Sequence, residues 1–414
     1  MRVAVVGSGI AGLGTAWLLS RSHEVVLFEA RDRLGGHTHT HDCHQAGRDY
    51  RVDSGFIVFN PHNYPLLTRM FERLGVGSRP TTMSFAVQDQ RSGLEYNATR
   101  LATMFCQKRN LVSPRFWRMI TDILRFYREA PKLLAQPGQG PSLGDYLLEN
   151  RYSQLFIDNH LVPMASALWS SPGTQIMRFP ARYLAAFMDN HRMLQVEGRP
   201  EWRVVEGGSS SYVAALQAQW SVQVRLSSPV TSVRRGDASV QVGTARGTED
   251  FDQVVLACHA DEALALLADA DQREREVLGA FDFQSNDTVL HTDRSLLPRD
   301  PRAWAAWNAF VPAGDGEACT VSYCMNLLQS LQSPEPFVVT LNRSAAIDPD
   351  KVIARMDYRH PVYTHASVAA QARRAEINGR RRTWFAGAWW GFGFHEDGLR
   401  SGVEVARALG AEGP

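Results

Sequence analysis

The sequence predicts an α/β plus α+β protein in which a Rossmann-like parallel sheet is interleaved with a second unit of antiparallel sheet and helices. Three observations predict it. A β-branched run at residues 2–6 leads straight into GSGIAG at residues 7–12. A long helical, aromatic text occupies residues 65–200, and alternating apolar runs follow between 279 and 355.

The amino-terminal elements come first. Residues 2–6 suit a buried parallel strand, and residues 10–20 carry helical apolar spacing. Between them Gly7 permits the tight turn, Gly9 lets backbone approach a pyrophosphate, and Gly12 lets helix and strand pack closely. Ile10 and Ala11 open the helix whose N-terminus faces the anion. A second strand, residues 23–28, ends at Glu29, twenty residues past Gly9, where a carboxylate accepts hydrogen bonds from ribose hydroxyls. An acid there repels a 2′-phosphate, which favours FAD or NAD over NADP.

The next stretch, EARDRLGGHT at residues 29–38, decides between them. An acid followed by Arg-x-Gly-Gly resembles the second phosphate-binding segment of the FAD-dependent amine oxidase superfamily, which includes flavin amine oxidases, protoporphyrinogen oxidase and carotenoid desaturases. The resemblance extends to bacterial FAD oxidoreductases that act on lipid acyl chains. It implies FAD, with Ala30, Arg33, Gly35 and Gly36 beside the cofactor: Arg33 offers a planar fork to phosphate, and the paired glycines bring backbone amides close. The family usually has Arg after the paired glycines, whereas this chain has His37, which that position also places among the cofactor-binding residues. VDSGF at residues 52–56 resembles the family's Asp-x-Gly segment, which places Gly55, Phe56 and Ile57 beside the flavin and Phe59 and Asn60 near its ring.

Farther along, helices are expected within 64–74, 116–134, 143–150, 152–161 and 181–189, a largely helical insertion with little alternation. WRVVEGG at residues 202–208 resembles the family's return motif. A helix over 212–218 follows, then a strand around 230–233 that puts Val230 against the cofactor. Residues 251–257 read as another buried parallel strand, ending at a structural Cys258-His259. The runs 288–291, 319–323 and 336–341 are expected in an antiparallel sheet that carries substrate. The resulting plan is a discontinuous FAD-binding domain of residues 1–65, 201–278 and 378–414, and a substrate-binding domain of residues 66–200 and 279–377.

The last segment, WFAGAWWGFGFHEDGLRSG at residues 384–402, crowds glycines and rings around His-Glu-Asp. In the superfamily a strand ending Phe-Ala-Gly reaches the flavin, and a glycine-marked helix start faces its pyrimidine edge. On that resemblance Gly387, Asp397, Gly398, Leu399 and Ser401 contact FAD, with the helix over 402–409 and its N-terminus stabilising negative charge on the reduced ring. Asp397 caps that helix start. Trp389 and Trp390 wall the flavin from water. His395 and Glu396 are the candidate general bases if substrate loses a proton with its hydride.

Composition bounds the partners. With 44 basic against 43 acidic residues in 414, no net field recruits nucleic acid. Five scattered cysteines without CxxC spacing fit a reducing, cytoplasmic setting and no zinc site, and the histidines and cysteine at 37–44 read as a polar loop rather than a metal centre. Within 116–134, Phe116, Ile120, Ile123, Leu124 and Tyr127 share one face, with Arg118, Arg125, Arg128 and Lys132 toward the other. That arrangement suits a helix on its own core, or peripheral contact with anionic lipid at the inner membrane face.

Amine oxidases of the superfamily commonly place a Lys on a strand resembling residues 285–290 and a Glu after Phe-Ala-Gly. This chain has no Lys between Lys132 and Lys351, and it has Ala388. The expected function is therefore oxidation or desaturation of a hydrophobic, fatty-acyl substrate by hydride transfer to flavin N5. Dioxygen or another external acceptor would complete the cycle, because no second dinucleotide site is evident. The alternatives are an amine oxidase lacking the Lys and a non-catalytic flavin- or lipid-binding module.

Overall fold

The computed structural model describes residues 1–314 and 318–413, so the parts of the expected ranges at 315–317 and 414 lie outside the described residues. Its centre is a five-stranded, wholly parallel sheet. The strand order is Val222–Arg225, Glu24–Phe28, Arg2–Val6, Gln253–Leu256 and Thr383–Phe385. Three of these strands, Glu24–Phe28, Arg2–Val6 and Gln253–Leu256, are apolar runs buried on both faces, as a sheet covered by helices requires, and Thr383–Phe385 forms an edge with Trp384 half-buried. Val222–Arg225, an alternating edge strand, was not predicted.

Two helices press together on one face of this sheet. The first, Ile10–Leu19, is buried along its whole length, and its partner is the last helix, His395–Ala408. Small residues make the approach possible: a Cβ on Gly402 would lie 2.5 Å from the Ala11 carbonyl, and one on Gly14 would lie 2.4 Å from Leu399. The helix therefore starts seven residues earlier than expected, and Gly402 sits inside it as a packing glycine.

A seven-stranded sheet forms the second body. Its order is Val352–Val362, Asp282–His291, Val338–Leu341, Thr320–Cys324, Trp307–Val311, Phe85–Asp89 and Leu94–Asn97. All neighbours run antiparallel except Trp307–Val311 and Phe85–Asp89, which are parallel. The insertion at 65–200 is largely helical, as expected, and the Phe85–Asn97 hairpin is an unpredicted addition to it: its short strands lie among aromatic residues that also satisfy helical spacing. A three-stranded mini-sheet of Val58–Phe59, Trp202–Val205 and Ser78–Thr81 ties the chain's return to its departure.

The helical segment packs on this second sheet. Pro114–Glu129 buries Phe116, Met119, Ile123 and Phe126 and turns Leu124 outward, so the apolar face grouped from sequence is rotated. Arg125 instead lies over the Tyr152 ring, 3.8 Å from its centroid. Residues 152–161 do not form one α-helix. They divide into Gln154–Phe156 and a π-helical turn, Ile157–Leu161. Among the described residues no helix is long and apolar enough to cross a membrane.

Candidate active site

A single cavity of about 1080 Å³ runs between the parallel sheet and the seven-stranded sheet. At one end lie Gly7, Gly9 and the start of the first helix, whose first-turn N–H groups have no intrahelical acceptor. The three fingerprint glycines differ in role. Gly7 has φ +99° and packs against the Ala257 carbonyl, and a Cβ on Gly12 would lie 1.9 Å from the Gly7 oxygen. Beside Gly9 a Cβ would meet nothing within 4 Å. Gly9 therefore opens onto the cavity, as a glycine that admits a pyrophosphate should.

Glu29 stands at the end of its strand, nine-tenths buried, and holds the turn: Ser8 N–H donates to Oε2 at 2.9 Å and Arg31 N–H donates to Oε1 at 2.8 Å. Its cavity-facing lone pairs suit ribose hydroxyls. Ala30, Val230, Gly35 and Gly36 line the same end, and a Cβ on Gly36 would come within 3.0 Å of Gly9. Two glycine turns thus meet around one cradle, and this donor set fits a dinucleotide such as FAD.

Arg33 has a different task from the expected one. Its guanidinium donates to the carbonyls of Thr38 at 3.0 Å and Gly36 at 2.9 Å, and it does not reach the cavity. It shapes the paired-glycine turn from behind, because burial makes backbone carbonyls its nearest acceptors. His37 does face the cavity. Its ring stacks 5.2 Å from His360, and its Nε2 is buried with no partner. Burial, then the neighbouring His360 and His259, hold its pKa well below the ordinary value, so the imidazole is neutral.

Gly55, Phe56 and Ile57 form the next part of the wall. Gly55 must be glycine, since a Cβ would lie 2.1 Å from the His37 carbonyl. Phe56 stacks on His395 with ring centroids 3.7 Å apart. His395 lines the cavity at the N-terminus of the last helix, and its Nε2 lies 3.0 Å from Thr38 Oγ1, which in turn lies 2.6 Å from the Tyr212 hydroxyl. Burial pushes its pKa down to about 3. It is a fixed neutral group and a weak base.

Glu396 is turned away. Its carboxylate accepts from Leu66 N–H at 2.9 Å and Leu67 N–H at 3.0 Å, capping the first turn of the Pro65–Leu74 helix. Asp397 caps its own helix, accepting from Phe392 and Phe394 N–H, and pairs with Arg400 at 3.1 Å. Gly398, Leu399 and Ser401 also stand behind the wall. Leu399 and Gly398 pack on the first helix, and Ser401 Oγ accepts from Gly387 N–H at 2.8 Å, fixing the Gly387 turn that does line the cavity.

The tryptophan pair is split. Trp389 borders the cavity while its Nε1 donates to the Cys258 carbonyl at 3.1 Å. Trp390 does not reach it: its ring is tilted against Trp389, with centroids 4.1 Å apart, and lies edge-on to Phe281, with Nε1 bonded to the Phe385 carbonyl. Phe59 and Asn60 also lie off the cavity, Phe59 against Phe71 in the core. Asp53 is a buried tie for the return segment, accepting from Thr40, Ser209 and Gln329, and burial raises it to about 6.

The far end of the cavity is apolar, walled by Phe85, Met164, Leu168, Trp169, Trp307 and Tyr323. Sequence reasoning missed one polar group there. His160 sits on the π-helical turn, 2% exposed, with Nδ1 2.9 Å from the Tyr96 hydroxyl and Nε2 unpartnered at the cavity wall. A π-turn disturbs helical periodicity and often marks a functional position, but a single-residue bulge leaves little trace in a sequence. Among the described residues no group of three or more His, Cys, Asp or Glu side chains is placed to hold a metal.

Comparison with known proteins agrees with this arrangement. A family model described as flavin containing amine oxidoreductase matches residues 10–301. The AofH protein of Mycobacterium tuberculosis, named as a putative flavin-containing monoamine oxidase, is 29% identical over 268 residues, 62% of this chain and 56% of that protein. The chain thus spans about half the length of that relative. A 4,4′-diapolycopen-4-al dehydrogenase of Metabacillus indicus is 38% identical over 78 residues, 18% of this chain and 14% of its own. Among solved structures, cyclohexylamine oxidase of Brevibacterium oxydans superposes with a TM-score of 0.69 at 15% identity, covering 99% of this chain and 98% of its own. A CLA-producing fatty acid isomerase from P. acnes gives 0.67 at 18% identity, covering 98% of each. At these identities the structures establish a shared fold. With more than half of its length matched, the chain belongs to the flavin containing amine oxidoreductase family, whose cofactor is FAD.

Proposed function

We propose that the protein is an FAD-dependent oxidoreductase that oxidises or desaturates a hydrophobic substrate, with a fatty-acyl chain as the best fit. The residues 1–65, 201–278 and 378–414 hold the cofactor in this reading, and 66–200 with 279–377 hold the substrate. When bound, FAD supplies a two-electron acceptor for a hydride from substrate carbon. The single observation that carries the substrate class is the far end of the cavity, where Phe85, Met164, Leu168, Trp169, Trp307 and Tyr323 form an aromatic and aliphatic wall; Arg199 and Glu201 also line the cavity, with Glu201 paired to Arg203.

The chain's own residues then do four things. The glycine turns and Glu29 fix the cofactor's nucleotide end. Phe56, Trp389 and the aromatic walls exclude water and confine the reacting C–H, which strengthens every polar contact inside. The N-terminus of the His395–Ala408 helix supplies favourable potential for negative charge beside His395. His395 and His160, each held near pKa 3 by burial, orient substrate or cofactor as neutral groups rather than removing protons.

A second reading, amine oxidation, is favoured by the names of AofH and cyclohexylamine oxidase. One experiment separates the two. Under anaerobic conditions the yellow protein is mixed with acyl lipids or with primary and polyamines, and its flavin absorbance is followed. Bleaching by acyl lipid supports the proposal, bleaching by amine alone supports the second reading, and a protein that stays colourless with added FAD sinks both.

A further inference from the structure

One stretch of the surface has a character that the cavity chemistry does not use. Between residues 96 and 121 the chain carries five basic residues and no acidic one. The same stretch exposes large apolar side chains: Leu101, Leu111, Val112 (83% exposed) and Trp117 (46%). Trp117 joins them physically. Its Nε1 donates to the Leu111 carbonyl at 2.9 Å and its ring lies 5.2 Å from Phe105, while Leu124, exposed two turns farther along the same helix, continues the strip. Arg100, Lys108, Arg109, Arg115 and Arg118 are exposed around it. The carboxylates nearby are engaged: Asp122 is buried between Arg118 and Arg125, and Asp300 is paired with Arg302.

The position of the strip is as telling as its composition. The cavity wall includes Ala98 and Thr99, two residues before Leu101, and Tyr127, on the helix that carries Trp117 and Leu124. Thr99 and Val196 are both exposed and both line the cavity, which marks its opening beside the strip.

We infer that this face docks on an anionic lipid bilayer, with Leu111, Val112 and Trp117 at the acyl boundary and the surrounding Arg and Lys side chains at lipid phosphates. Apolar side chains with an amphipathic Trp, ringed by cations, gain both from burial at the interface and from the surface potential of anionic lipid. The cavity opening then faces the bilayer. This inference deepens the proposed function by giving its apolar substrate a source, and it rests on that reading for the purpose of docking but not for the docking itself.

Flotation of the FAD-loaded protein tests it without turnover. With vesicles of phosphatidylcholine and phosphatidylglycerol the protein floats at low salt, and the floated fraction falls severalfold at high salt or on pure phosphatidylcholine. L111Q/V112Q and R115E/R118E each lose most of the floated fraction while keeping flavin absorbance and circular dichroism. Ile353→Ser, an exposed apolar residue on the far edge of the seven-stranded sheet, floats like the parent. No flotation of the parent, equal flotation of every variant, or a vesicle-free dimer that L111Q/V112Q converts to monomer would each overturn the inference. Reduction of the flavin by amines alone would remove the proposed substrate yet leave the flotation result standing, so the two failures are distinguishable.

Discussion

Acidification should destabilise this protein through His291, and the size of the effect follows from its geometry. His291 ends a central strand of the seven-stranded sheet and is 0% exposed. Its Nδ1 accepts from Asp293 N–H at 3.0 Å and its Nε2 lies 2.8 Å from Thr340 Oγ1. Protonating Nδ1 would forfeit the first bond and bury a charge, so burial lowers the pKa from 6.5 to about 4. The folded value lies below the unfolded one, so the unfolded chain takes the proton first as pH falls. Stability is intact above about 6.5 and declines by ~1.4 kcal/mol per pH unit until the folded imidazole itself titrates near 4, or ~2 kcal/mol lost by pH 5. Urea unfolding at pH 7, 6 and 5, with FAD saturating throughout, measures it. The variant His291→Gln retains a donor toward Thr340 but cannot protonate, so its stability should fall less steeply, by about one proton's worth of slope. Parallel pH dependences for parent and variant would refute the assignment of a neutral, proton-excluding His291.

The two turn glycines should separate binding from folding. Gly12→Ala drives a methyl into the Gly7 carbonyl and should cost at least ~2 kcal/mol with loss of bound FAD, whereas Gly9→Ala should leave the apoprotein's melting temperature nearly unchanged while weakening FAD binding, read by flavin fluorescence titration. Glu396→Gln should cost ~1 kcal/mol by weakening the cap on the Pro65–Leu74 helix and leave the rate of flavin reduction within a few-fold of the parent; a loss of a hundredfold or more would restore Glu396 to catalysis. The rate of flavin reduction should show no ionisation near pH 6.5 attributable to His395, since its pKa is pushed to about 3, and His395→Gln should leave the acidic limb of the pH profile in place.

The sequence by itself determined the parallel sheet, the fingerprint turn and Glu29, because these follow from local rules: a buried run, a glycine where backbone must approach, an acid at a fixed distance. It also marked His37, Phe56 and Gly387 as cavity residues. What it could not decide was direction. His395 and Glu396 are neighbours at a helix start, where successive residues point about 100° apart, and only the docking of Pro65–Leu74 made one a cap and the other a wall. Trp389 and Trp390 both pack on Phe281 yet only Trp389 reaches the cavity, and Arg33 was drawn to carbonyls that its own turn presents. Spacing along a chain names which groups are present near a site. Which of them face the ligand is settled by what packs behind them, and those contacts come from segments hundreds of residues away.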